Sequence, residues 1–379
     1  MYKQLINFIR DQFKTDDFIP LHAPTFVGKE KEYLNECIDS TFVSSVGKFV
    51  DLFENKVAEY TKSKHAIVCV NGTNALHLAL LVAGVKPSDE VITQPLTFIA
   101  TTNAIVYANA NPVFVDVDID TMGLSPKALR IFLEENSELR NGECYNKFTN
   151  NRIKACMPMH TFGHACRIEE ILSICEEYKI ELVEDAAEGM GSFYKGKHLG
   201  TFGKIAAVSF NGNKIMTTGG GGIILTDNDE LAAEVKHLST QSKVPHKWEY
   251  VHDNIGFNYR MPNINAALGL AQLEKLDFFI ENKRELANVY SSFFKEKGVS
   301  FFEEREDEKC NFWLNAIILK DKKERDSFLD ESNTSGVMTR PIWQLMNKLP
   351  MFKDNVKGML TNSEWLEDRV VNIPSSVRL

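Results

Sequence analysis

The residues of this chain best suited to chemistry are a lysine and an aspartate, each standing where an apolar run ends. Lys214 lies in SFNGNKIMTTGGGG (209–222), between such a run and four consecutive glycines. Nothing in the chain fits the GxxxxGK[ST] phosphate loop. An amine in this setting can carry a covalent bond, offer a point charge, or sit solvated in a hairpin between 205–210 and 222–226. Gly219 to Gly222 permit close backbone approach and positive φ, with no side chain to crowd a bulky ligand. Asp185 lies in VEDAAEGMGS (183–192), at the strand end where α/β sheets bind ligands. A carboxylate buried there is costly without a basic partner. A pyridine nitrogen is one such partner, held protonated as an electron sink; a turn capped by the aspartate is the ordinary alternative.

Four weaker signals accompany the pair. NGTNALHLAL (71–80) opens a helix at Gly72, Thr73 and Asn74, whose free N–H groups suit a phosphate; a plain N-cap by Asn71 or Thr73 reads the same way. Ser209, five residues before Lys214, can add a hydroxyl. Phe98, in QPLTFIATTNAI (94–105), either stacks on a flat ring or fills core. His160 and His164 in MHTFGH (159–164) have no third ligand at zinc-like spacing, so they point to substrate contact or plain structure, with no metal expected. Asn258 and Arg260 in NYRMP (258–262) fall where two domains should meet; the arginine suits a phosphate as well as an ordinary surface site. Each signal is weak singly. Jointly a phosphate cradle, a stacking ring, a buried acid and a lysine follow in chain order at strand ends, the set a pyridoxal phosphate site needs.

The elements that would position them alternate. Short apolar runs at 66–70, 90–94, 112–116, 153–157, 180–185, 205–210 and 222–226 are mostly continuous, as for strands covered on both faces. Helical periodicity fills 74–84, 125–136 and 167–178, and 139–152 reads as a surface insertion. This predicts an α/β fold with a mostly parallel sheet. Beyond about residue 255 the pattern changes to one long helix or two over 263–294, a strand over 312–320 and helices near 322–335 and 363–370. The expected division is a large α/β domain with the N-terminal segment, 1–255, and a smaller α+β domain, 256–379.

The 379 residues carry a formal net charge of −9, which argues against non-specific nucleic-acid binding. Seven cysteines with no CxxC pair predict reduced thiols in the cytoplasm. No run of about 18 apolar residues predicts a membrane span, and the acidic start does not read as a signal peptide.

Together NGTNALHLAL, TFIATTNAI, PVFVDVD, EDAAE, SFNGNK and GFNYRMP resemble the DegT/DnrJ/EryC1/StrS sugar aminotransferases, from about residue 18 to the C-terminus. The resemblance implies fold type I, the aspartate aminotransferase fold, with pyridoxal 5'-phosphate as cofactor. It implies Lys214 as the Schiff-base lysine and proton shuttle, Asp185 on the pyridine nitrogen and Phe98 over the ring. Gly72, Thr73 and Ser209 would hold the phosphate, with Asn74 nearby. Asn258 and Arg260 would reach the cofactor phosphate and substrate of a partner subunit, so that a homodimer shares its sites. Glu188 stands where the family often has glutamine, placed towards the cofactor's phenolic oxygen. Asn211 replaces the histidine of the frequent SFHPxK; the variant resembles members acting on UDP-linked 4-keto-6-deoxy-N-acetylhexosamines in bacillosamine- and legionaminate-type pathways. The implied reaction is amino transfer from L-glutamate to the sugar's C4. A dehydratase or epimerase, a non-catalytic regulator of the same fold, and a cofactor-free nucleotide-binding protein are the other classes; lysine at 214, where dehydratase relatives have histidine, favours transamination.

Overall fold

The computed structural model describes residues 2–379. Seven strands form its main sheet: β1 (His65–Cys69), β2 (Glu90–Thr93), β3 (Asn111–Phe114), β4 (Ile153–Cys156), β5 (Glu181–Asp185), β6 (Ile205–Ser209) and β7 (Gly222–Thr226). Their spatial order is β1-β7-β6-β5-β4-β2-β3. β7 runs antiparallel to both neighbours and the other pairs are parallel. Helices cover both faces, which is why most strand residues are buried and the runs read as continuous apolar stretches. The expected mostly parallel α/β sheet is therefore the observed one.

Local chemistry sets the helix starts. Asn71 caps the helix Gly72–Val82 by accepting from the Asn74 N–H at 2.8 Å. Ser125 caps Pro126–Asn136, with the proline in its first turn. The helix Ile99–Tyr107 begins directly after Phe98, without a side-chain cap.

The stretch expected as an insertion at 139–152 contains a hairpin, Ser137–Arg140 against Glu143–Asn146. Asn141 (φ 52°) and Gly142 (φ 84°) form its turn, the Asn-Gly pair that left-handed hairpin turns favour. It is anchored where Asn146 donates to Glu90 at 2.8 Å.

A second, antiparallel sheet orders Ser300–Phe301, Asn315–Ile318, Val370–Ile373 and Arg340–Pro341. The 263–294 periodicity resolves into two helices, Asn263–Leu273 and Leu276–Lys297. Leu286, Tyr290 and Phe294 of the longer one share a core with Leu5, Ile6 and Ile9 of the helix Tyr2–Phe13. The N-terminal helix thus packs on the second sheet's layer, and Ile19 bridges Val337 beside it.

Candidate active site

Four strand ends converge on one cavity of about 320 Å³. β1 delivers Gly72 and Thr73, β2 leads to Phe98, β5 ends on Asp185, and β6 ends on Ser209 and leads to Lys214; all of these line the cavity, with Glu188 and Asn211. The register explains the convergence: Asp185 pairs with Ala207, two residues before Ser209.

The wall built by the start of the Gly72–Val82 helix is a tight one. The N–H groups of Gly72 and Thr73 precede the helix's first hydrogen bond, Ala75 N–H to Asn71 O, and are left unused by the helix. A Cβ on Gly72 would stand 2.8 Å from the Ser209 Cβ, so only glycine allows this approach. The last glycine of the four-glycine run serves the same wall from behind. Gly222 lies between Cys69 and Ser209 in the sheet, and a Cβ there would meet the Asn71 backbone at 2.7 Å. Glycines 219–222 do not line the cavity, which corrects the expectation that they leave room for a ligand.

Asp185 is 2% exposed. Its Oδ2 accepts from the Thr101 hydroxyl at 2.6 Å and its Oδ1 from the Ala187 N–H at 3.1 Å. Burial pushes its carboxyl up, against these hydrogen bonds and the Lys214 charge. Lys214 is not the exposed lysine of a hairpin, although β6 and β7 do pair antiparallel around it. Its Nζ lies 3.0 Å from Glu188 Oε1 and 3.9 Å from the centre of the Trp313 ring. Glu188 Oε2 accepts from the Phe162 N–H at 2.7 Å, and burial pushes this carboxyl up too.

Not every expected residue joins the cluster. His160 is fully buried, its Nε2 3.0 Å from Glu184 Oε2, and it does not line the cavity. Burial works to lower its imidazole, but Cys166 and Glu184 outweigh this and raise it to about 10. The structure thus sets His160 in a buried hydrogen-bonded cluster with Glu184 and Cys166, which accords with the plain structural alternative. His164 pairs with Glu308 at 2.8 Å, and no group of three or more His, Cys, Asp or Glu placed to hold a metal occurs among the described residues. Asn258 and Arg260 lie outside the cavity; the Asn258 side-chain oxygen accepts from Arg260 at 3.1 and 3.2 Å. Asn74 follows the cradle and does not itself line the cavity.

Three further lining residues are not singled out by the sequence: Thr101, inside the 94–105 stretch, and Trp313 and Trp343, which no motif reveals. The two tryptophans enter from the second sheet, just before Asn315–Ile318 and just after Arg340–Pro341. The Trp313 indole N–H donates to the Asn213 carbonyl at 2.6 Å, bracing the turn that carries Lys214. Trp343 meets Phe98 nearly edge-on at 6.5 Å. A glycine-walled N–H cradle, a buried carboxylate, an aromatic flank and an amine around one cavity fit the donor set pyridoxal phosphate requires.

The family described as the DegT/DnrJ/EryC1/StrS aminotransferase family matches residues 24–379. A GDP-perosamine synthase of Escherichia coli O157:H7 is 40% identical, over 94% of this chain and 93% of that protein. EpsN of Bacillus subtilis (strain 168), whose name assigns it provisionally to the pyridoxal phosphate-dependent aminotransferases, is 36% identical over 88% and 84%. Among solved structures, a DegT DnrJ EryC1 StrS aminotransferase from Brucella abortus superposes with a TM-score of 0.83 at 26% identity, covering 92% of this chain and 90% of that one.

Proposed function

Because the chain belongs to the DegT/DnrJ/EryC1/StrS aminotransferase family, we propose that it moves an amino group from L-glutamate to the 4-keto carbon of a nucleotide-linked 4-keto-6-deoxyhexose. It is a pyridoxal phosphate-dependent aminotransferase, and its relatives place it among sugar aminotransferases of polysaccharide biosynthesis. Bound, the cofactor supplies an electron sink for negative charge on the carbon being deprotonated. The carrying observation is that Lys214 Nζ, held 3.0 Å from Glu188, shares its cavity with Asp185 and the Gly72–Thr73 cradle.

In this reading the Gly72 and Thr73 N–H groups and the Ser209 hydroxyl would hold the phosphate, with Asn74 nearby. Asp185 holds a proton at the ring nitrogen, and Phe98 covers the ring face. Lys214 would anchor the cofactor, and its Nζ would take the proton from the amino donor's α-carbon and deliver one to the sugar carbon. Glu188 steadies that amine. Residues up to about 255 carry these groups, and 256–379 close the cavity with the two tryptophans.

We assign the substrate a UDP-linked N-acetyl sugar, on the strength of Asn211 at the cavity wall in SFNGNK. The GDP-perosamine synthases favour a second reading, a GDP-linked sugar without the acetamido group. A panel of UDP- and GDP-linked 4-keto-6-deoxyhexoses with glutamate, read as 2-oxoglutarate, decides. Turnover confined to GDP substrates overturns the UDP assignment, and no turnover with any overturns the function.

We further propose a homodimer in which Asn258 and Arg260 complete the partner's site. Both lie outside their own cavity, and large apolar side chains stand exposed nearby in sequence, Trp248, Tyr250 and Ile255, as do Phe42 and Val46. All seven cysteines are free and buried, which supports a reducing compartment, the cytoplasm. No described helix is long and apolar enough to cross a membrane.

A further inference from the structure

We propose that Thr101 is a positioning residue that keeps the Asp185 carboxylate ionised and aimed into the cavity, as the last hydroxyl of a relay starting at Thr97. The inference rests on Asp185 being the partner of the cofactor's ring nitrogen.

Thr101 Oγ1 lies 2.6 Å from Asp185 Oδ2 and 2.7 Å from Thr97 Oγ1. Thr97 Oγ1 in turn lies 2.8 Å from the Met159 thioether sulfur and 3.4 Å from the Phe98 carbonyl. Thr97, Thr101, Met159 and Asp185 are all buried. Each hydroxyl has one proton to donate, and this fixes the direction of the chain. With Asp185 ionised, Thr97 donates to Thr101 and Thr101 donates to Oδ2, and both bonds are short. With Oδ2 protonated, every donor reverses, and the relay ends on a thioether or a long carbonyl contact, both weak acceptors. The relay is therefore worth more to the ionised carboxylate than to the protonated one.

That bias opposes burial, which favours the neutral acid. The Thr101 hydrogen bond is the largest effect acting against it, ahead of the Ala187 N–H and the charges of Lys214 and His160. Glu188 is the other carboxylate facing the cavity, and its own acidity feels Asp185. The local helix makes the placement economical: Phe98 and Thr101, three residues apart at the start of Ile99–Tyr107, both line the cavity. One helix start thus supplies a cover for the ring face and an orienting group for the carboxylate.

The test uses Thr101→Val, Thr101→Ser, Thr97→Val and Asp185→Asn in the full chain, titrated with pyridoxal phosphate and followed by visible absorption against pH. Thr101→Val is expected to weaken cofactor binding about 10-fold or more, the loss for one hydrogen bond to a charged acceptor, and to shift the pH dependence of the bound spectrum. Thr101→Ser restores both, which a packing role for the threonine methyl would not do. Thr97→Val shifts both the same way by about 3-fold, the loss for a neutral hydrogen bond. A Thr101→Val protein with wild-type affinity and spectrum overturns the inference, as does a Thr101→Ser protein as impaired as Thr101→Val. Should Thr101→Val not fold, an unshifted Thr97→Val overturns it. If Asp185→Asn also matches wild type, the reading of Asp185 has failed; if only Asp185→Asn is impaired, the relay alone has failed.

Discussion

Glu188 stands at the cavity wall between the Lys214 amine and the Phe162 backbone. From sequence it is a departure, a carboxylate where the family often has an amide. In the structure it is the counter-ion of Lys214, with its second oxygen fixed by the Phe162 N–H. Burial holds its carboxyl above the usual range, so it takes up a proton at a higher pH than an exposed glutamate and then loses its hold on the amine. We predict that Glu188→Gln folds normally, keeps the Phe162 contact, and flattens the acid limb of the kcat/KM profile. A limb unchanged in the variant assigns it to another group. Lys214, Asp185, Phe98, Gly72 and Thr73, each in a short motif at a strand end, do come together around one cavity. Thr101, Trp313 and Trp343 were not legible, because their roles depend on contacts: Trp313 reaches Asn213 from 100 residues away. His160 misled for the opposite reason, since a histidine in a strand-end motif looks available until its partners Glu184 and Cys166 are seen.

The elements were read best where burial alone dictates them. The seven main strands begin and end within two residues of the apolar runs, because a strand covered on both faces is largely apolar through its middle. The packing of Tyr2–Phe13 on the second sheet was not legible, since its partners Leu286 and Tyr290 lie far along the chain. The β1–helix junction carries a specific prediction. Gly72→Ala places a methyl 2.8 Å from the Ser209 Cβ, an overpacking expected to cost about 1–3 kcal/mol. Cofactor titration of Gly72→Ala should show affinity reduced about 10-fold or more, with the apo-protein still folded; undiminished affinity contradicts the cradle. In the helix Leu276–Lys297, Lys283 is fully buried and donates to the Ser375 carbonyl, and burial lowers its amine to about 7. Unfolded, the amine titrates near 10.4, so between these values the unfolded chain binds the extra proton and stability rises with pH, at about 1.4 kcal/mol per unit. Below about 7 both states are charged and the folded state bears the full burial penalty. Denaturant melts should therefore show wild type gaining on Lys283→Met from pH 7 to 9.5, and a constant gap between the two refutes the assignment.

At the scale of the whole molecule, two sheets meet over one cavity, the larger supplying the reactive groups and the smaller the tryptophans. Asn258 and Arg260 remain outside that cavity, and the proposed dimer gives them a purpose. If sites are shared, Lys214→Ala and Arg260→Ala proteins, each inactive alone, form mixed dimers with one complete site when unfolded and refolded together. An equal mixture should then recover about a quarter of wild-type activity, from half the dimers with one of two sites intact; no recovery places Arg260 in its own subunit's site, and an Arg260→Ala protein active by itself places it outside any. The account as a whole turns on one amine. Holoenzyme reduced with borohydride and digested, with the modified peptide identified by mass spectrometry, should carry the phosphopyridoxyl group on Lys214 in the 209–222 segment. Modification at another lysine, or none, would contradict the central claim.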